Sequence, residues 1–265
     1  VVNFSKPGVL MNKTGIGYLD YSWNPLTGCS PVSAGCQNCW AKKRATENAA
    51  TGSKWYDPKD PFKPTLHRDR LDEPSHRKTP SVIGVGFMGD ICHPDLPEDA
   101  LACVLQSCRI ANQHTYLWLT KRADRLGEAL LGVDPVPNVW LGVSVENMAG
   151  AIERLPILAQ LAERGWHTWV SMEPLIGSVT LAPSPHHNWD LVEWVIVGCE
   201  SGDDRRPMDP AWVTQLHGEC DHFGIPFFLK QMEVGGKVQA HPTPYLNGVQ
   251  HTEIPDAIQK HLGTS

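Results

Sequence analysis

Val139-Trp140-Leu141-Gly142-Val143-Ser144-Val145-Glu146-Asn147 is a short apolar run that breaks off in polar and ionisable residues. Its length and its β-branched and aromatic content are those of a buried strand. Beyond it Ile152, Leu155, Leu158 and Leu161 recur at the spacing that places them on one face of a helix. The same unit repeats in both directions. Upstream, Ser81 to Met88 is apolar and stops at Gly89-Asp90; Pro97-Glu98-Asp99 then opens a helix striped by Leu101, Val104, Leu105 and Cys108. Thr115 to Leu119 ends at Thr120-Lys121-Arg122. Downstream, Thr168-Trp169-Val170 ends at Ser171-Met172-Glu173-Pro174, Glu193 to Val197 at Gly198-Cys199-Glu200-Ser201-Gly202, and Pro226 to Leu229 at Lys230-Gln231.

Strands alternating with helices at intervals of roughly 25 to 35 residues predict an α/β fold with a parallel sheet covered by helices. Six or seven such units predict a partial (βα)6-7 TIM-like barrel. A doubly wound sheet would gather its functional residues at one switch point, whereas here every strand ends in polar groups, as the strands of a barrel do around an active site. The Asn247-Gly248 pair between Tyr245-Leu246 and Val249-Gln250 predicts a C-terminal hairpin, read as a cap. The expected layout is one domain, 1–265: a lead-in arm at 1–17, the barrel at 18–231 and the cap at 232–265.

With 265 residues, 41 % hydrophobic and 20 % charged, the chain can bury a substantial core. No run of eighteen apolar residues and no basic-then-apolar leader is present, so the expectation is a cytoplasmic protein with reduced thiols and no membrane partner. A net charge of −6 argues against broad duplex binding through a basic surface, while leaving local anionic contacts open. Residues 52–80 carry five prolines together with Lys63, His67, Arg68, Arg70, His76, Arg77 and Lys78. They read as a solvated connection, or as an anion-facing lid or nucleic-acid contact.

The loaded segment is Cys29-Ser30-Pro31-Val32-Ser33-Ala34-Gly35-Cys36-Gln37-Asn38-Cys39, with three of the eight cysteines in eleven residues. Buried unliganded thiols and disulfides are the bland alternatives. Three thiolates leave a soft metal centre one ligand short. Zinc would close the set with Cys92 or His93; an iron-sulfur cluster would leave one iron open for a small molecule. Spacing alone does not choose between them. The helix-forming stretch from Trp40 to Ala50 would direct its positive N-terminal end at these thiolates.

In combination, several blocks resemble the phage-encoded three-cysteine proteins of the radical S-adenosylmethionine superfamily. They are Trp23-Asn24-Pro25, Thr27-Gly28-Cys29, Gly35-Cys36-Gln37-Asn38-Cys39, Met88-Gly89-Asp90, Leu119 to Arg122, Asn138 to Asn147, Glu173-Pro174-Leu175, Val197 to Gly202, Arg206-Pro207-Met208 and Pro226 to Gln231. The resemblance spans roughly 18–255. It implies a partial barrel and a 4Fe-4S cluster on Cys29, Cys36 and Cys39. S-adenosylmethionine would chelate the fourth iron and be cleaved reductively to a 5′-deoxyadenosyl radical. The spacing departs from the superfamily's usual three and then two residues: the first gap is six, and Asn38 stands where an aromatic normally precedes the last cysteine, with Trp40 just after it.

The barrel reading and the resemblance point to the same strand ends. Asp90 is expected to meet the cofactor's ammonium. Ser144 and Glu146 are expected at the ribose, Thr120 and Lys121 at the carboxylate or ribose, and Trp40 beside the cofactor. Glu173, Glu200, Arg205, Arg206, Lys230 and Gln231 fall on the substrate side, where acids and bases together suit a zwitterionic or phosphate-bearing ligand. No single catalytic residue is assigned. The phage setting implied by the resemblance makes the expected activity an isomerisation of an amino-acid-decorated thymine in phage DNA, with electrons from a flavodoxin or ferredoxin. The alternatives are the same chemistry on a free nucleotide or small metabolite, and a non-catalytic zinc-binding module.

Overall fold

In the computed structural model, residues 11–181, 189–202, 204–240 and 243–262 are described. Strand β1 (Asn12–Lys13) pairs antiparallel with β2 (Tyr21–Trp23), while β3 (Leu26–Thr27) and β4 (Thr65–Leu66) form a small separate ribbon. From β2 a parallel series runs through β5 (Val82–Val85), β6 (Thr115–Thr120), β7 (Val139–Ser144), β8 (His167–Met172), β9 (Val195–Gly198) and β10 (Phe227–Val234). Each strand lies beside the next in sequence, and β11 (Lys237–Gln239) turns back antiparallel on β10. The nine-stranded sheet is open, with β1 and β11 at its edges. This is the partial barrel expected from the repeating unit, with an antiparallel C-terminal addition.

Helices α1 (Trp40–Ala50), α2 (Glu73–His76), α3 (Ala100–Ile110), α4 (Ala123–Ala129), α5 (Met148–Glu163) and α6 (Pro210–Phe223) occupy the connections. Their ends follow local chemistry. Asn147 caps α5 by accepting the Gly150 N–H at 3.1 Å, and Asp209 caps α6 by accepting that of Ala211 at 2.8 Å. Gly224 ends α6 in the left-handed region, at φ 68°. No helix among the described residues is long and apolar enough to cross a membrane.

Alternation along the strands sorts the core into two faces. Leu141, Val143, Val170, Val195 and Val197 pack against Val104, Leu105, Leu155, Leu158, Val213 and Leu216 of the helices. Leu117, Trp140, Trp169, Trp194, Ile196 and Phe228 gather on the opposite, inner face with Tyr18. Along that inner face the residue type changes with height: Trp140, Gly142, Ser144 on β7; Trp169, Ser171 and then Glu173 on β8; Phe228, Lys230 on β10. Aromatics therefore fill the floor, and small then polar side chains open a hollow above it. Gly142 is part of this design, because a Cβ there would lie 2.3 Å from the Trp169 ring and 2.7 Å from the Trp118 carbonyl oxygen. Gly142→Ala is expected to destabilise the fold by about 1–3 kcal/mol through overpacking, read as a lower thermal midpoint; an unchanged midpoint would show that the floor yields freely.

The predicted hairpin forms from β12 (Tyr245–Leu246) and β13 (Val249–Gln250), turning through Asn247 and Gly248 at φ 53° and 82°. The capping is done by the residues that follow. Leu229 N–H donates to the His251 carbonyl at 2.9 Å and Glu253 N–H to that of Phe227 at 3.2 Å, so the segment runs along β10. Helix α7 (Asp256–Gln259) then places Ile258 among the inner aromatics, and His261 Nδ1 lies 3.1 Å from Thr115 Oγ1 at the start of β6. The tail thus covers the floor and leaves the polar end open. Of the expected arm and cap, residues 1–10, 241–242 and 263–265 lie outside the described residues.

The 52–80 segment is more than a bare solvated connection, because several of its basic side chains are tied to the rest of the chain. Arg70 forms a buried ion pair with Glu73 at 2.6 Å, and its carbonyl accepts the Trp23 indole N–H at 2.8 Å. His67 Nε2 lies 2.8 Å from Thr27 Oγ1, Arg68 pairs with Asp99 at 2.7 Å, and Arg77 donates to Ser81 Oγ at 2.7 Å above the Tyr21 ring. These basic side chains are engaged within the chain because the segment packs as a flank of the barrel.

Candidate active site

Above the aromatic floor, at the C-terminal ends of the strands, lies a cavity of about 390 Å³. Cys29, Gly35, Cys36, Asn38, Cys39 and Trp40 form one part of its lining; Asp90, Thr120, Lys121, Ser144, Glu173, Glu200, Lys230 and Gln231 contribute from the strand ends. The fold therefore brings together the cysteine loop and residues from the ends of six strands, β5 to β10, and all the expected site residues line the cavity except Glu146, Arg205 and Arg206.

The cysteine loop is held from below. Gly28 N–H donates to the Met88 carbonyl at 2.9 Å and Cys29 N–H to that of Phe62 at 3.1 Å. Gly28 adopts φ +84°, and a Cβ there would sit 2.1 Å from the Lys63 carbonyl oxygen, so glycine is required for this passage. A short 3-10 turn, Ala34–Cys36, presents Cys36, and Cys39 stands at the N-cap of α1. On the outer side, Asn38 Nδ2 donates to Glu200 Oε2 at 2.9 Å, and Arg206 donates to both Glu200 (Nε, 3.0 Å) and the Ala34 carbonyl (Nη1, 2.9 Å). Burial pushes the Glu200 carboxyl up, but Arg206 and Asn38 outweigh it and hold it below the usual range.

Arg122 is the residue that sequence reasoning passed over. Buried at the end of β6, it donates to Cys29 Sγ at 3.3 Å, to Asp90 Oδ2 at 2.9 Å, and to the Ser30 carbonyl and hydroxyl at 3.0 Å each. Burial pushes the Cys29 thiol up, Asp90 adds to this, and Arg122 opposes it. Asp90→Asn in the apo protein is therefore expected to lower that pKa and speed Cys29 alkylation by iodoacetamide near pH 7.5, since more thiolate is present at any pH below it. Arg122→Met is expected to slow it. Site-resolved mass spectrometry reads both, and equal rates would remove these two charges from the account.

Asp90 is positioned differently from its expected role. Thr120 Oγ1 and Cys92 N–H donate to Oδ1 at 2.6 and 2.9 Å, while Lys121 N–H and Arg122 donate to Oδ2 at 3.3 and 2.9 Å. Both oxygens are engaged, so an incoming ammonium would have to displace a donor. Glu146, expected at the ribose, does not line the cavity. It is buried and bound by Arg154 Nη1 at 2.7 Å, Lys121 Nζ at 3.6 Å and the Ser33 hydroxyl. Burial raises its pKa, but Lys121, Arg154 and Ser33 together bring it below normal. A Cβ on Gly35 would lie 2.4 Å from Glu146 Cγ, so the cysteine loop rests directly on this carboxylate. Arg205, expected on the substrate side, turns away to Glu233 (2.9 Å) and the Gly236 carbonyl on the β10–β11 turn, where those acceptors lie.

A second network faces the cavity from β8 and β10. Lys230 Nζ lies 2.8 Å from Glu173 Oε1, Ser171 Oγ donates to Glu173 Oε2 at 3.1 Å and the Tyr18 hydroxyl to the same oxygen at 3.4 Å. Burial and then the Glu173 charge push the Tyr18 phenol well up, which keeps it a hydrogen-bond donor. Gln231 Nε2 donates to the Cys199 carbonyl at 2.6 Å, and burial pushes the Cys199 thiol up to about 11. Tyr18, Ser171 and Cys199 were not singled out from sequence; their strand-end or strand-flanking positions were the available signal.

The donor set is that of a soft metal centre, and the geometry bears on which. A single tetrahedral zinc, with Zn–S near 2.3 Å, draws its sulfurs to about 3.8 Å from one another. Among the described residues the three sulfurs do not gather within 4.8 Å of one another. Cys92 and His93, the expected closing ligands for zinc, are engaged elsewhere. Cys92 is buried outside the cavity lining, with its thiol pushed up by burial. His93 Nδ1 accepts the Asp95 N–H at 3.1 Å, so Nε2 carries the proton toward Ser30 Oγ at 2.8 Å. With Cys92 and His93 so placed, neither expected side chain closes the set of three thiols, which fits a cluster that keeps one iron open.

Two solved structures share similarity with this chain. One, a cysteine-to-serine mutant of spore photoproduct lyase, has 14 % identity and a TM-score of 0.46, over 81 % of this chain and 65 % of that one. The other, spore photoproduct lyase complexed with dinucleoside spore photoproduct, has 14 % identity and a TM-score of 0.43, over 71 % and 58 %. The chain thus spans less than two thirds of the length of either. No curated protein matches it. The family model described as Protein of unknown function (DUF5131) matches residues 13–255, and the chain belongs to that family.

Proposed function

We propose that the protein is a radical S-adenosylmethionine enzyme acting on a nucleobase, with Cys29, Cys36 and Cys39 holding a 4Fe-4S cluster. The observation that carries this is one cavity in which Cys29, Cys36 and Cys39 share the lining with paired acids and bases. When bound, such a cluster supplies the electron that cleaves the sulfonium and yields a 5′-deoxyadenosyl radical.

The chain's own residues do the rest. Arg122 places positive charge beside Cys29 and ties it to Asp90, which compensates thiolate charge in a buried setting. Thr120, Lys121 and Ser144 offer polar groups to the cofactor's carboxylate and ribose from the ends of β6 and β7. Trp40, 50 % exposed at the cavity edge, offers an aromatic face. Glu173, Lys230, Glu200 and Gln231 form the substrate side, and the Glu173–Lys230 pair suits a ligand bearing both an ammonium and a carboxylate. The aromatic floor closes the cavity from beneath.

An amino-acid-decorated thymine in phage DNA, isomerised at carbon, matches this set of groups. The cavity lies within the range that holds one compact ligand, so a DNA substrate would present an extruded base at a cost of about a few kcal/mol. Exposed Lys42 and Lys43 on α1, beside Trp40, offer local phosphate contacts that the net charge of −6 does not prevent. A flavodoxin or ferredoxin in the cytoplasm of an infected host would supply electrons. The whole chain is read as one unit built around this site.

Anaerobic reconstitution followed by reduction and addition of S-adenosylmethionine tests the reading. The expected result is a brown protein with about four irons per chain that forms 5′-deoxyadenosine faster with modified DNA than without it. Turnover with the free nucleoside but not the DNA would move the substrate to a nucleotide. A colourless, zinc-loaded protein with no 5′-deoxyadenosine would overturn the proposal.

A further inference from the structure

We propose that His217, His251 and Glu253 form a second metal site, for a zinc-like divalent ion, that fastens the C-terminal segment to α6. One ligand atom from each residue lies within 4.8 Å of the other two, and no ion is present. The group joins elements far apart in sequence: His217 projects from α6, while His251 and Glu253 belong to the stretch running along β10. The imidazole rings stand 4.0 Å apart, centroid to centroid, inclined at 53°.

Each ligand is oriented by a further contact. The Phe227 N–H donates to Glu253 Oε2 at 2.9 Å, which fixes the carboxylate and leaves its other oxygen available. His251 packs edge-on to the Phe227 ring at 6.0 Å. His217 packs edge-on to the Phe227 ring at 5.3 Å. Two imidazoles and one carboxylate form a donor set that zinc accepts, with water in the fourth position. Zinc bonds of about 2.0–2.1 Å bring such atoms to about 3.4 Å apart, within reach of small side-chain rotations. No cysteine takes part, so the site is independent of the cluster reading.

An ion here would act on the cap. Leu229 N–H is bonded to the His251 carbonyl, and the next residues of β10 are Lys230 and Gln231 in the cavity. Joining His251 to α6 would fix the edge of the strand that carries them.

The test uses the full chain with Cys29, Cys36 and Cys39 replaced by serine, so that the first site cannot take up the ion. Zinc is titrated against a chelating dye. The expected result is one zinc per chain with a Kd below about 10 µM, a higher thermal midpoint with zinc, and reversal by EDTA. His217→Ala and Glu253→Gln should each weaken binding by about tenfold or more. Glu253→Gln retains an acceptor for the Phe227 N–H, so it serves where His217→Ala fails to fold. Cobalt(II) should give visible bands without thiolate charge-transfer absorption. Absence of stoichiometric zinc, or affinity unchanged in both variants, overturns the proposal.

Discussion

Cys36→Ala is expected to abolish S-adenosylmethionine cleavage while leaving the fold intact. Cys36 ends a short turn at the cavity wall, its sulfur 3.7 Å from Ser33 Oγ, and it belongs to none of the packed clusters of the core. Removing one half-buried sulfur there should change stability by no more than about 0.5 kcal/mol. Its effect on chemistry is of another order, since a cluster held by three thiolates has no spare protein ligand. Iron content and absorbance near 400 nm should fall to background, and 5′-deoxyadenosine with them, at an unchanged circular dichroism spectrum. Retention of a full cluster would show that another side chain completes it, and would end the three-ligand account.

Arg154→Met should destabilise the fold strongly. Arg154 is 1 % exposed and Glu146 2 %; the guanidinium also donates to the Ser144 carbonyl at 2.6 Å. Replacing it leaves a buried carboxylate supported chiefly by Lys121 and Ser33. Breaking such a pair costs about 3–5 kcal/mol. Adding Glu146→Gln should recover much of that loss, because the stranded charge is then gone. Urea midpoints of the two single variants and the double variant measure this. The same change should loosen the cysteine loop, which rests on Glu146 through Ser33 and Gly35, and raise the Cys36 alkylation rate in the apo protein. A loss below about 1 kcal/mol would contradict the buried-pair argument.

The sequence made the architecture readable where period and punctuation agreed. Apolar runs such as 115–119 and 139–143 became β6 and β7 with ends one residue away, and Asn247-Gly248 turned as that dipeptide predicts. Most of the expected strand-end residues share one cavity because a barrel places those positions together whatever their spacing. What stayed hidden depended on contacts between distant segments. Arg122 was visible only as the end of a polar triplet, and nothing local shows that it reaches back 93 residues to Cys29. Glu146 has the right strand-end position, yet Arg154, two helical turns later, draws it beneath the loop. The basic content of 52–80 reads locally as a solvated face or an anion contact, but Glu73 within the segment and Asp99, Thr27 and Ser81 outside it engage Arg70, Arg68, His67 and Arg77.

Electron paramagnetic resonance of the reduced, reconstituted protein, with and without isotopically labelled S-adenosylmethionine, tests the central claim most directly. The account predicts a cluster signal whose shape changes on adding the cofactor and shows coupling to its labelled amino nitrogen and carboxylate oxygen. A signal indifferent to the cofactor, from a cluster bound by four protein side chains, would contradict it.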